Sequence, residues 1–139
     1  MRYEDRDVYE ELFKIGLTEE EIDKQFEINV DLKVVLGADI KQEIEFLKQY
    51  NLTEEDIAEI SRKNPWILTE DFQRIRFLEK YYGEVDIKDL GELLKKQSIS
   101  MSVNPKEVKD FIDKLTEEGK SKEEVRNILV NDFEKYFKL

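Results

Sequence analysis

The chain has 139 residues, 40% hydrophobic and 41% charged, and its 34 Asp/Glu against 23 Lys/Arg give a net charge of −11. It contains no Cys and no His, which excludes disulfides, thiol nucleophiles, thiolate metal sites and triads of the Ser-His type. No stretch approaches the roughly 20 apolar residues of a membrane span.

Only five Gly and two Pro occur, with eight Phe and six Tyr recurring at helical spacing among many Ile and Leu. That composition predicts a helix-rich globular chain with a highly charged exterior. The opening "MRYEDRDVYEELF" is acidic and amphipathic, unlike a signal or transit peptide. With the missing Cys, it leads us to expect a cytoplasmic protein. The charge is uneven: net −7 over residues 1–40, then −2 over 41–80 and −2 over 81–139.

In chain order, Arg6 to Ile15 reads as a first helix, with Val8, Leu12, Phe13 and Ile15 near one stripe and Gly16 as its stop. Thr18 caps "EEEIDKQFEI", with Glu21 completing a capping box. "VDLKVVLGAD" fits either a short strand or a short buried helix, and its neighbours favour the helix. Asp39 opens "IKQEIEFLKQY", and Asn51 takes the stopping role of Gly16. Thr53 caps "EEDIAEISRK" with Asp56 three residues on. Pro65 ends that helix. Thr69 is expected to cap "EDFQRIRFLEKYY", Gly83 to end it and Asp86 to open "IKDLGELLKKQ". "SISMSV" reads as a connector, a mobile loop in which Met101 is either an exposed contact or core filler. Asn104 caps the Pro-initiated "PKEVKDFIDKLTEE", which Gly119 ends. Ser121, with Glu124, caps "KEEVRNILVNDFEKYF".

The inner caps Thr18, Thr53, Asp86 and Ser121 fall 35, 33 and 35 residues apart. An aromatic-containing helix precedes each and a shorter amphipathic helix follows. Two helices per period of about 34 residues is the mark of a stacked helical repeat, in which each unit covers its neighbour's apolar side. The expected fold is all-α, about eight helices in a single domain over 1–139, with units at about 4–38, 39–68, 69–103 and 104–139. An irregular helical bundle is the alternative.

The stretch "EFLKQYNLTEEDIAEISRKNPWILTEDFQRIRFLEKYY" resembles the repeat of the mitochondrial transcription termination factor (mTERF) family. Phe46-Leu47, Asn51, Leu52, Ile57, Pro65, Ile67-Leu68 and Phe77-Leu78 occupy the family's places; the other units match more loosely. The resemblance implies a right- or left-handed α-solenoid of three-helix units, the third helix short. It also implies a basic inner groove that holds double-stranded nucleic acid in organelles.

A nucleic-acid face needs several cations on one side. The candidates are Arg62, Lys63, Arg74, Arg76, Lys80, Lys95 and Lys96. Each has a nearby acid, which also suits a solvated helix exterior, and the net charge disfavours phosphate binding. No phosphate loop, zinc spacing or calcium loop is present. Glu19-Glu20-Glu21 and Glu54-Glu55-Asp56 are accounted for by helix starts. We therefore expect no enzyme, no metal and no cofactor. Trp66 reads mainly as a plug between repeats, with a partner contact as the other reading. Of Tyr81 and Tyr82, one is expected to pack and the other to face water.

The acidic first quarter serves either as a solubilising end cap or as a surface that meets a basic protein. Its candidate contacts are Glu4, Asp5, Asp7, Glu10, Glu11, Glu19, Glu20 and Asp23. In its sharpest form, that surface mimics nucleic-acid charge and inhibits a nucleic-acid enzyme by entering its basic groove. The alternative is an mTERF-like nucleic-acid binder with a local basic face.

Overall fold

The computed structural model describes residues 3–139, whose regular elements are all helices, with no strand among them. Nine α-helices follow one another: α1 Arg6–Lys14, α2 Glu19–Ile28, α3 Gly37–Lys48, α4 Glu54–Lys63, α5 Phe72–Gly83, α6 Leu90–Lys96, α7 Pro105–Glu117, α8 Lys122–Asn131 and α9 Phe133–Tyr136. Short 3-10 turns lie at Tyr3–Asp5, Val30–Lys33 and Pro65–Thr69. The expected last helix is broken at Asp132 into α8 and α9.

The repeat is written in the backbone. Gly16, Asn51, Asp86 and Gly119 each adopt a positive φ, of 101°, 61°, 64° and 90°. They are spaced 35, 35 and 33 residues apart. Each closes the first helix of a repeat. At three of them the next N–H reaches back over the turn, Leu17 to Leu12 O, Ile87 to Tyr82 O and Lys120 to Leu115 O. That is the Schellman closure, which needs one left-handed residue. The residue four before each turn is buried every time: Leu12, Leu47, Tyr82 and Leu115.

This corrects the reading of Asp86. It is the left-handed turn residue, and α6 is capped by Asp89, whose Oδ1 accepts the Glu92 N–H at 3.0 Å. In the other units Thr18, Thr53 or Ser121 stands two residues after the turn and accepts from Glu21, Asp56 or Glu124. Lys88 stands there in the third unit and has no acceptor, so the helix starts one residue later. Two further starts move. Asp71, not Thr69, caps α5, because Thr69 belongs to the 3-10 turn and accepts from Asn29 Nδ2 at 2.9 Å. The third helix begins at Gly37, and Asp39 reaches back to the Leu36 N–H at 2.8 Å.

The chain forms two compact units, residues 1–69 and 70–139. The division falls one residue from the expected boundary between the second and third repeats. In unit 1, α1 lies against α3, and Gln25 on α2 donates to Ser61 Oγ on α4 at 3.1 Å. Asn29 donates to Pro65 O at 3.1 Å. In unit 2, α5 lies against α7 and α6 against α8. First helix meets first helix and second meets second, so within each unit successive hairpins are layered side by side.

Gly37 permits a close approach of α3 to α1. A Cβ there would stand 2.8 Å from Asp7 O. The same close contact lets the Gly37 N–H donate to Asp7 Oδ2 at 2.9 Å.

"SISMSV" is a series of packed turns. Ser100 and Met101 are fully buried, Ser98, Ser102 and Val103 are nearly so, and Tyr82 donates its hydroxyl to Ser100 O at 2.6 Å. Tyr82 packs while Tyr81 is half-buried under Lys109. Phe13, expected on the buried stripe of α1, is 42% exposed; Tyr9 takes the inward place.

Candidate functional site

The acidic candidates lie on the helices α1 and α2 of unit 1 and the turn before them, and the structure gives them different tasks. Asp5, Glu19 and Asp23 gather around Tyr9. Tyr9 donates its hydroxyl to Asp23 and stacks on Phe26 with ring centroids 5.1 Å apart. Burial, the bond to Asp23 and the charges of Asp5 and Glu19 hold the Tyr9 phenol well above its usual range. Asp5 is buried. Asp7 is occupied by the Gly37 N–H. Glu10 pairs with Arg6 at 3.2 Å and Glu11 with Lys14 at 3.0 Å. Glu4, Glu19 and Glu20 are exposed, and Glu20 makes no ion pair among the described residues. The outward acidic surface is thus Glu4, Glu10, Glu19 and Glu20, with Glu11 and Asp23 beside them.

The basic candidates are mostly engaged. Arg62 bonds Glu21 and Glu59, and Lys63 lies 3.8 Å from Glu59. Arg62 is held protonated first by its bond to Glu21. Glu21 is lowered from the usual carboxylate range by the Thr18 N–H and then by Arg62. In unit 2, Arg74 donates to Ser102 O at 2.9 Å and Val103 O at 3.3 Å, fastening the turns that precede α7. Arg76 pairs with Glu79 at 3.5 Å and Lys95 with Glu92 at 3.1 Å. Lys80 and Lys96 are exposed and make no ion pair among the described residues.

A cavity of about 200 Å³ opens between α2 and α4, lined by Glu21, Lys24, Gln25, Ile28, Arg62 and Pro65. Its one carboxylate, Glu21, is already matched to Arg62, so the cavity offers no acid–base pair of the kind hydrolysis needs. Among the described residues, no group of three or more acids is placed to hold a metal ion. No helix there is long and apolar enough to cross a membrane.

Sequence reasoning missed an exposed aliphatic run between α2 and α3. Ile28, Val30, Val34 and Leu36 are 48%, 64%, 80% and 63% exposed. The ambiguous "VDLKVVLGAD" was expected to be buried; only Leu32 and Gly37 in it are. The signal lay in the repeat itself. At the matching places the second unit has Thr69 and Asp71 where the first has Val34 and Leu36. Trp66, at 36% exposure, lies between its two readings.

Layered two-helix repeats closed by a left-handed residue agree with a comparison against known families, in which the profile described as mTERF matches residues 6–137. The chain belongs to the mTERF family. It is a helical-repeat module, of a family that typically binds nucleic acid. No curated protein and no solved structure matches this mTERF chain significantly.

Proposed function

We propose that this mTERF-family chain is a non-enzymatic interaction module that binds a basic protein partner through the acidic surface of unit 1. The observation that carries this reading is the excess of exposed carboxylates at the start of unit 1 over the cations there. Glu4, Glu10, Glu19 and Glu20 face solvent, and five of the seven basic candidates are tied to carboxylates. A surface of one sign steers a partner of the other and weakens with salt. The sharpest form of the reading is a charge mimic that enters the basic groove of a nucleic-acid enzyme and inhibits it. A cytoplasmic location belongs to the same reading and is tested by cell fractionation.

The test is charge reversal at Glu10, Glu19 and Glu20 to Lys, with binding followed against ionic strength. The reading expects weaker binding and a flatter salt dependence. Unchanged affinity and slope remove it.

Family membership favours a second reading, nucleic-acid binding. Of the seven basic candidates, Lys80 and Lys96 of unit 2 are the two that make no ion pair among the described residues. A gel shift on duplex DNA at low salt tests it, because each lost phosphate contact reduces the salt slope by about one. Lys80→Glu and Lys96→Glu variants that abolish such a shift support it.

A further inference from the structure

The first helix of the second, third and fourth repeats opens after Leu36, Asp71 and Asn104 respectively. Asp71 accepts the Gln73 N–H at 2.8 Å and Asn104 the Lys106 N–H at 2.9 Å. Leu36 has no side-chain acceptor and leaves its helix without that cap. Two residues earlier the sister positions carry Thr69 and Ser102, and here Val34. The fold is served by polar residues at these places elsewhere in the same chain. At the first of them it gives up a cap and leaves two aliphatic side chains largely in water. A position that breaks the local rule without a folding gain is where function is expected. With Ile28 and Val30, four exposed aliphatic side chains fall within nine residues.

The surroundings give the occupant its chemistry. The Gly37 N–H is bound by Asp7 Oδ2, which pins the end of this ledge against α1. Glu10 and Glu11 follow Asp7 by three and four residues on that helix, each beside the cation it pairs with, Arg6 and Lys14. Asp31 and Lys33, both exposed, offset each other within the ledge. An apolar strip on a unit of net charge −9 fits an amphipathic segment whose own apolar stripe is flanked by Lys or Arg. A second copy of this chain would bring one strongly acidic unit against another.

We propose that Ile28, Val30, Val34 and Leu36 form a docking ledge for an amphipathic, basic segment of the protein partner. This rests on the protein-partner reading above and names what that partner presents.

The experiment titrates the full chain with a synthetic helix-forming peptide that carries Leu at i, i+3, i+4 and i+7 and Lys elsewhere. The control is an isomer of the same composition with the stripe scrambled. Binding is followed by amide chemical shifts and by anisotropy. The ledge predicts about a tenfold or greater preference for the striped peptide, the worth of burying a few aliphatic side chains, with shifts centred on residues 28–37. The double variant Val34→Thr, Leu36→Asp installs the sister residues. It is expected to lose the preference while its thermal midpoint holds or rises, since Asp restores a cap. Equal binding of the two peptides, or a preference that survives the double variant, overturns the ledge. So does self-association of the wild type that the double variant abolishes, which assigns the ledge to a second copy. If both peptides bind with a salt dependence that vanishes on charge reversal at Glu10, Glu19 and Glu20, the acidic reading stands and only the ledge falls.

Discussion

Residues 1–69 contain nine Lys/Arg and 18 Asp/Glu, net −9; residues 70–139 contain 14 and 16, net −2. Both units are built from two layered hairpins, yet they handle polar groups differently. Unit 1 ties its layers through the amides of Gln25 to Ser61 and Asn29 to Pro65 and Thr69, and through the carboxylates of Asp7 to the Gly37 N–H and Glu21 to Arg62, and leaves most of its other carboxylates outside. Unit 2 draws cations inward onto backbone carbonyls, Arg74 onto Ser102 and Val103 and Arg126 onto Val85. It fills its core with rings, among them Phe133 stacked on Phe137 at 4.6 Å and tilted against Tyr82. A residue count therefore overstates the positive charge that unit 2 presents outward, because Arg74 and Arg126 are structural.

The largest expected effect separates the two cores. Phe133→Ala removes a fully buried ring and should cost about 3–5 kcal/mol in denaturant unfolding followed by circular dichroism. A loss below about 1 kcal/mol contradicts an aromatic core in unit 2. Next is Gly37→Ala, where the new methyl meets the Asp7 carbonyl. We expect about 1–3 kcal/mol, the usual scale of overpacking; a neutral outcome means that α1 does not lie so close to α3.

A smaller pair of variants tests the backbone rhythm. Asp89→Ala should cost about 1 kcal/mol as a lost cap. Asp86→Gly should be neutral or stabilising by up to about 1 kcal/mol, since glycine enters the left-handed region without strain. The reverse ranking restores Asp86 as the cap.

The smallest effect is titration. Glu21 and Glu124 sit below the usual carboxylate range, first through the backbone N–H groups of Thr18 and Ser121. Their folded affinity for protons is lower than their unfolded one, so their contribution is present above the ordinary carboxylate value of 4.5. It is lost as pH falls below that. Glu21→Gln and Glu124→Gln should flatten the acid limb of a stability-versus-pH curve; an unchanged limb rejects the capping boxes.

Much of the fold was legible in the sequence because helix ends are local events. Thr18 with Glu21, Thr53 with Asp56, and Ser121 with Glu124 act within four residues, and Pro65, Asn104 and Pro105 do as well. Asp86 misled because Asp serves both as a cap and as a left-handed turn residue, and only the neighbouring Lys88 decides which. Thr69 misled because its hydroxyl is claimed by Asn29, 40 residues away. The candidate surface was legible as composition and not as geometry. Nothing local to "RDVYEELF" says that Asp7 will hold Gly37 or that Asp5 will be covered. Likewise, "VVLG" shows four small apolar letters whether they face a core or water.

The most direct measurement of the central claim is a parallel low-salt titration of the full chain against duplex DNA and against the striped basic peptide. It is repeated with the Glu10, Glu19 and Glu20 reversal. An acidic interaction module predicts saturable peptide binding that the reversal weakens, and no shift of the duplex. Duplex binding that survives the reversal and disappears with Lys80→Glu and Lys96→Glu would contradict it.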